Sequence, residues 1–241
     1  MFGKLARALQ RRREARALER HAIPDALWQS TLERYPFLAQ ADEQDLRRLC
    51  SLFLAEKEFH GAAGFEVSDE VALAVAAQAC LPILKLGLKA YDSFVGIVMH
   101  EGEVTAARTL MDEDGVVHEF DEELAGEAME GGPLMLAWSA VAEPLADSRD
   151  GVFNVVIHEF AHVLEQHLLP SSAIDIIEPV WKRFCRRIER GGASVIDAYG
   201  AENVNEFFAV ASESFFITPE ALKKEQPALY RLLDGFYNPT D

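Results

Sequence analysis

Apolar residues recur with the period of an α-helix between residues 155 and 164. The remaining positions hold three polar residues and one alanine, which predicts an amphipathic helix packed into a core. Polar side chains just before this stretch can cap its first turn. The apolar positions are Val155, Val156, Ile157, Phe160, Val163 and Leu164, and the candidate N-caps are Asp147, Ser148 and Asp150.

A second stretch with the helical period runs from residue 203 to residue 216. Asn203 or Asn205 can cap this helix. Its apolar face consists of Phe207, Phe208, Val210, Ala211, Phe215 and Phe216. A different face carries Glu202, Glu206, Ala209 and Glu213. The helix therefore presents acidic groups along one side and a core-forming surface along another.

The rest of the chain predicts helices first and short strands afterwards. Residues 25–58 look helical with a break at Pro36, residues 58–65 look like a loop, and Asp69 caps a helix that reaches about Ala79. Short strands are predicted at 95–99, 116–120 and 134–138. This order predicts an α+β fold that is mostly helical, with a small antiparallel sheet beside the two helices described above.

Length and charge suggest one domain with a separate basic segment. The chain has 241 residues and is 49% hydrophobic, enough for a sizeable core. Residues 1–24 hold seven basic and two acidic side chains, or +5, so the net charge of −17 leaves −22 on the remainder. We expect a basic arm at 1–24 and one domain at 25–241, with a helical part at 25–92 and a second part at 93–241 that contains the two helices described above. An acidic body disfavours nucleic acids and anionic membranes as partners of its main surface.

Cysteine usage and hydropathy indicate a cytoplasmic protein. Cys50, Cys80 and Cys185 are widely spaced and odd in number, which predicts reduced thiols rather than a disulfide framework. The longest apolar stretch, residues 71–99, is interrupted by proline and charged residues, so we expect no transmembrane segment. The basic start is not followed by an apolar segment, so we also expect no signal peptide.

Residues 158–162 read His-Glu-Phe-Ala-His. On a helix, His158 and His162 lie one turn apart on the same face, so both imidazoles can bind one ion. Glu159 lies about 100° further round, where it can act on a metal-bound water without being a ligand. Two neutral nitrogen donors and a carboxylate base are what zinc-assisted peptide hydrolysis needs. The alternative is an ordinary helix with surface histidines, and a third ligand decides between the two interpretations.

The third ligand is not a histidine of the same motif. The metzincin pattern would need glycine and histidine where this chain has Glu165 and Leu168. A carboxylate from a second helix can serve instead, as in sites built from two histidines and one glutamate. Glu202, Glu206 and Glu213 share a face of the second predicted helix, so spacing alone leaves three candidates.

The two motifs, in this order, resemble the Mlc titration factor A family of bacterial glucose-regulated metallopeptidases. Their metal centre is also similar to that of the anthrax lethal factor protease domain. After the second histidine, the chain departs from the glycine- and aspartate-rich loop of the family. The resemblance rests on His-Glu-Phe-Ala-His, Asp-Ala-Tyr at 197–199, Glu-Phe-Phe-Ala-Val at 206–210, and the segments 80–88, 132–138 and 214–237, and it covers most of residues 40–237.

The resemblance implies a zincin-like fold and a role for each residue of the site. It implies one zinc ion per chain, bound by His158, His162 and Glu206, and it places Tyr199 at the catalytic centre. With Glu159 as the general base, such a site would hydrolyse peptide bonds, and the family suggests aminopeptidase-like cleavage.

Three further features bear on the geometry of the expected site. Glu165 and Asp197 are candidates to orient the imidazoles of the metal ligands. The strand predicted at 134–138 either offers an edge on which an extended peptide pairs or is an interior strand that carries core residues.

Two functions of different classes are compatible with these patterns. The first is a zinc peptidase that acts on a peptide substrate. The second, implied by the resemblance alone, is a regulatory protein that sequesters a DNA-binding transcriptional repressor of sugar uptake, with cleavage secondary. Glu159 and Tyr199 favour the peptidase, because a protein that only binds has no need of a base or an oxyanion donor.

Overall fold

The structure is a computed structural model that describes residues 12–111, 117–128, 132–143 and 151–239 of the chain. These residues contain ten helices, which confirms that the protein is mostly helical. The helices are α1 (12–20), α2 (Asp25–Arg34), α3 (Glu43–Glu56), α4 (Asp69–Cys80), α5 (Trp138–Ala142), α6 (Val155–Leu168), α7 (Ser171–Ile188), α8 (Val204–Ile217), α9 (Pro219–Glu225) and α10 (Pro227–Tyr237).

Six strands form two separate sheets in the described residues. The strands are β1 (Glu58–Gly61), β2 (Gly96–His100), β3 (Val104–Met111), β4 (Val117–Leu124), β5 (Gly126–Ala128) and β6 (Leu134–Ala137). The larger sheet has the order β1-β2-β6-β5, and β3 pairs with β4 in an antiparallel hairpin. The α+β class predicted from the order of elements is therefore confirmed.

The larger sheet differs from the antiparallel arrangement predicted from the sequence. Strand β1 pairs parallel to β2, and β2 pairs parallel to β6, whereas only β5 is antiparallel to its neighbour β6. Parallel neighbours require long crossover connections, and α4 lies within the connection between β1 and β2. Strand β1 also falls in the stretch 58–65 that was predicted as a loop. It contains only four residues, mostly exposed, so it lacks the apolar alternation that identifies a strand.

Side-chain caps define where the central helices begin. Asp42 accepts a hydrogen bond from the backbone N–H of Asp45 at 2.9 Å, and Ser68 accepts one from Val71 at 3.3 Å. Ser68 therefore caps α4, and Asp69 is the first residue of the helix instead of its cap. Helix α4 is buried on almost every side, so it forms the interior of the helical layer.

An aromatic cluster anchors α6 against the N-terminal part of the chain. The ring of Phe160 lies 4.9 Å from that of Tyr91, 5.7 Å from Phe94 and 5.9 Å from Phe53, measured between centroids. These edge-on and tilted contacts are the arrangements that aromatic rings prefer. Since Phe160 belongs to the same helix as His158, the cluster fixes the position of the motif helix.

The segment before residue 25 contacts the body through α3. Glu14 in α1 forms an ion pair with Arg48 at 3.2 Å, and Ile23 is buried in the main core. The division of the chain at residue 24 stays a prediction.

Cys50, Cys80 and Cys185 are free thiols, the first two buried. Among the described helices, none combines the length and the apolar character needed to cross a membrane.

Candidate metal centre

Helix α6 carries the His-Glu-Phe-Ala-His motif into the interior. Asn154 caps the helix, and its side-chain oxygen accepts the backbone N–H of Ile157 at 2.9 Å. Ten of the 14 helical residues are buried, including His158 and Glu159, so the histidines are not ordinary surface residues. The N-caps predicted at Asp147, Ser148 and Asp150 lie outside the described residues.

Helix α8 brings the third group of the site. Asn203 caps it and accepts the backbone N–H groups of Asn205 and Glu206 at 3.0 and 2.9 Å, so the first of the two predicted caps is confirmed. This places Glu206 in the first turn, where the helix packs against α6. The side of α8 that faces the core is formed by phenylalanines, as the period of the sequence predicted.

Three donor atoms from these helices meet at one point. Nε2 of His158 lies 3.2 Å from Nε2 of His162, and Oε2 of Glu206 lies 3.0 and 3.4 Å from these two nitrogens. Ligands at about 2 Å from a tetrahedral ion are separated by about 3.3 Å. The spacing therefore fits three ligands around one metal ion with a fourth position left open.

Two more carboxylates contact the outer nitrogens of the same imidazoles. Oε1 of Glu213 lies 2.8 Å from Nδ1 of His158, and Oε2 of Glu165 lies 3.6 Å from Nδ1 of His162. A carboxylate at Nδ1 favours the tautomer with the hydrogen on that nitrogen. Nε2 of a neutral ring then carries a lone pair directed at the centre, so the three central donors repel one another unless a cation lies between them.

The structure separates the three glutamates that spacing alone could not distinguish. Glu206 lies at the centre, Glu213 lies on the outer side of His158, and Glu202 is exposed and outside the cluster. The sequence offered Glu213 only as a possible metal ligand. In the structure it contacts the outer nitrogen of His158, which is itself a candidate ligand.

Neighbouring side chains change the pKa values of all three central groups. Burial disfavours the imidazolium of His158, but the carboxylates of Glu206 and Glu213 outweigh it and raise its pKa to about 10. Burial is likewise outweighed at His162, where Glu165 and Glu206 raise the pKa to about 9. For Glu206, burial is opposed by both histidines, which lower its pKa to about 2. The centre thus attracts positive charge, either protons or a metal ion.

Glu159 is held by strand β5 beside the candidate ligands. A Cβ atom at Gly126 would lie 2.7 Å from Cγ and Oε1 of Glu159, so only glycine allows this approach. The backbone N–H of Ala128 donates a hydrogen bond to the same carboxylate. Burial raises the pKa of Glu159 to about 6, although both histidines oppose the shift. A carboxylate that titrates near neutral pH is suited to accept and return a proton.

Tyr199 borders the site from the exposed side. Its ring centroid lies 6.0 Å from that of His158, and 43% of the residue is accessible to solvent. It belongs to a 3-10 turn at Ala198–Ala201, in which Asp197 accepts the backbone N–H of Tyr199 at 2.8 Å. The role of Asp197 in orienting a ligand imidazole stays a prediction, and its side chain supports the turn that carries Tyr199.

Strand β6 was considered as an edge for an extended peptide. It lies between β2 and β5, so it is an interior strand with both sides paired. The edge of the sheet next to Glu159 is β5. Strand β5 was not among the strands predicted from the sequence. An isolated glycine such as Gly126 often marks a place where another part of the protein lies close to the backbone of a strand.

Two histidines one turn apart on one helix, with a glutamate directly after the first and a carboxylate supplied by a second helix, are typical of metallopeptidases with the HExxH motif. The chain belongs to the family described as glucose-regulated metallo-peptidase M90, whose model matches residues 9–168 and 171–238. The resemblance inferred from the motifs is therefore confirmed. The match begins at residue 9, so it includes most of the basic segment.

Individual relatives agree with this assignment. The chain is 34% identical to an uncharacterised protein of Synechocystis sp., over 93% of this chain and 87% of the relative. It is 31% identical to Mlc titration factor A of Yersinia pestis and of Yersinia pseudotuberculosis, over 88% of this chain and 84% of each relative. The similarity thus extends over nearly the whole length of these proteins.

The raised pKa values generate a prediction about metal binding. His158 and His162 should be largely protonated in metal-free protein at pH 7, and their Nε2 atoms, 3.2 Å apart, cannot both hold a hydrogen directed at the other. Binding of one metal ion should therefore release between one and two protons per chain at pH 7. Affinity should rise at least about tenfold per pH unit between pH 6 and 8, because each released proton contributes one factor of ten.

Calorimetric titration in two buffers of different ionisation enthalpy measures this proton release. The release should diminish above about pH 10, where both imidazoles are neutral before the metal binds. Metal binding without proton release at pH 7 would contradict the prediction.

Proposed function

We propose that this protein is a zinc-dependent peptidase. The observation that supports this most is the convergence of Nε2 of His158, Nε2 of His162 and Oε2 of Glu206, with the buried carboxylate of Glu159 beside them. Two imidazoles and one carboxylate with an open fourth position are typical of catalytic zinc sites. When bound, zinc would supply a water that ionises near neutral pH and a positive charge that polarises a carbonyl group.

Glu159 would act as the general base in this proposal. Its pKa of about 6 allows it to be ionised at pH 7 and yet to hold a proton during the reaction. It would take the proton from the attacking water and pass it to the leaving amine. The contacts with Gly126 and the N–H of Ala128 keep the carboxylate in place for both transfers.

Tyr199 would stabilise the charge that develops on the carbonyl oxygen. Its ring lies at the exposed border of the site, next to His158, where its hydroxyl can approach a bound substrate. A hydrogen-bond donor directed at a developing oxyanion contributes most in a site with little water. The turn held by Asp197 positions the backbone of this tyrosine.

An extended peptide would pair with β5, the edge strand beside Glu159. Strand β5 is antiparallel to β6 on one side, and no strand from the described part of the chain pairs with its other side. Main-chain hydrogen bonds to such an edge bind a peptide regardless of sequence. Aminopeptidase-like cleavage, which the family resemblance suggests, can be tested by comparing one peptide with a free and with an acetylated amino terminus.

A second role follows from the names of the relatives. Two of them are called Mlc titration factor A, and the resemblance implies sequestration of a DNA-binding repressor. We propose repressor binding as an alternative function of the same fold. It requires neither Glu159 nor Tyr199, so it would persist in variants that lack hydrolysis.

The choice of Glu206 as the third ligand can be tested by metal analysis. Glu206→Ala should lose most of the zinc that copurifies with the wild-type protein, because two imidazoles alone bind it weakly. Glu202→Ala is the matched control, since this residue precedes the same helix and is exposed. We expect close to one zinc per chain in the control. If zinc were retained in Glu206→Ala but lost in Glu202→Ala, the assignment of Glu206 as the third ligand would be wrong.

Replacing Glu159 separates chemistry from metal binding. Glu159→Gln keeps the size of the side chain and removes the base, so peptide hydrolysis should fall by about three orders of magnitude or more while zinc content persists. Both quantities can be measured on the same preparation. Hydrolysis at the wild-type rate in this variant would refute the assigned role.

Tyr199→Phe tests the proposed oxyanion donor. Loss of one such donor lowers kcat by about 10²- to 10³-fold. Because the phenyl ring retains the packing beside His158, metal content and thermal stability should stay near wild type. An unchanged kcat would mean that the hydroxyl does not act in the reaction.

A further inference from the structure

Glu213 is a fully buried carboxylate that is absent from the chemistry proposed above. It lies in α8, two turns after Glu206, and its exposed fraction is 0%. Oε1 contacts Nδ1 of His158 at 2.8 Å, and Oε2 accepts the backbone N–H of Asn154. One side chain therefore connects the imidazole ring to the N-cap residue of the helix that carries it.

The connection continues into the N-terminal helical layer. Nδ2 of Asn154 donates a hydrogen bond to Oε1 of Gln78 at 2.6 Å, and Nε2 of Gln78 donates one to the carbonyl of Ala74 at 3.0 Å. Gln78 is 1% exposed and interrupts an otherwise apolar stretch of α4. In the described part of the chain, no buried side-chain nitrogen or oxygen lacks a partner.

We propose that Glu213, together with Asn154 and Gln78, positions His158 for metal binding. This inference rests on the proposed function, because it assumes that His158 is a ligand. Glu213 holds the ring plane and keeps the hydrogen on Nδ1, which directs the lone pair of Nε2 to the metal. Asn154 fixes Glu213 from α6, and Gln78 fixes Asn154 from α4, so three helices determine the orientation of one ring.

The opposing explanation is that this network only caps α6. A cap contributes to folding, and its loss would lower the thermal stability without a specific effect on the metal. The two explanations therefore differ in whether the metal affinity falls more than an equal loss of thermal stability would cause. A control variant with a similar loss of stability distinguishes them. Ser212 provides that control, because it precedes Glu213, is 0% exposed, and hydrogen-bonds to the carbonyl of Phe208 and the hydroxyl of Tyr237.

The principal variant is Glu213→Gln. Glutamine has the same shape, but its NH₂ group must face either Nδ1–H of His158 or N–H of Asn154, both of which are donors. We expect Zn²⁺ affinity to fall about 10- to 100-fold, the range found when a partner of a metal-bound histidine is lost. Ser212→Ala should change the Zn²⁺ affinity less than about threefold, even if its melting temperature falls as much as that of Glu213→Gln.

Gln78→Met is the second variant, and it tests the far end of the network. It keeps the length of the side chain and leaves Nδ2 of Asn154 without its acceptor. We expect a smaller loss of affinity in the same direction. The loss in the double variant should be less than the product of the two single losses, because both changes act on the same ring.

Purified full-length protein is stripped with a chelator and titrated with Zn²⁺ in competition with a chromophoric chelator. Its Co²⁺ form is examined by visible absorption, which reports the ligand geometry, and thermal unfolding of the metal-free forms provides the stability scale. A changed Co²⁺ spectrum in Glu213→Gln, unlike that of Ser212→Ala, supports the proposal.

Equal affinities and identical spectra for wild type and Glu213→Gln would overturn the proposal, as would equal losses in Glu213→Gln and Ser212→Ala. If Glu213→Gln does not fold, Gln78→Met decides by the same criteria. A wild-type protein that binds Zn²⁺ without hydrolysing peptides would refute the peptidase function and leave the positioning role in place. A wild-type protein that binds neither ion would refute both.

Discussion

The imidazole of His158 between two carboxylates is the interaction on which the rest of the site depends. Glu206 contacts Nε2 and Glu213 contacts Nδ1, and both come from α8. A buried ionised group left without its partner costs about 3–5 kcal/mol, so the ring and the two acids require one another. These contacts fix the position of α8 along α6. They also fix the position of the third donor, His162, because it lies one turn after His158 on α6.

Glu159, the proposed general base, is positioned by a different part of the fold. Glu159 follows His158 in the chain, so the ring contacts described above also set the rotation of its backbone about the helix axis. The sheet then completes its environment, because β5 approaches closely at Gly126 and donates an N–H group at Ala128. The base therefore shares its helix with two candidate ligands, and β5 adds to the burial that raises its pKa to about 6.

The helical layer supports this centre from behind. The aromatic contacts of Phe160 attach α6 to the N-terminal half, and α4 contributes Gln78 to the same region. The opposite side of the site is bordered by Tyr199, which is exposed, and by β5 at the edge of the sheet. Rigid packing on one side and exposure on the other are compatible with the proposed peptidase, which would hold its metal ligands firmly and admit a peptide.

The sequence alone determined the local features. The periods of α6 and α8 and the spacing of His158 and His162 follow from short-range geometry, and the metallopeptidase family follows from two motifs in order. Only the tertiary structure decided which of Glu202, Glu206 and Glu213 lies next to the Nε2 atoms of both histidines, that β5 and not β6 is the edge, and that three strands are parallel. The physical reason is that a helical period places residues on a face, whereas the distance between two faces depends on how distant segments pack.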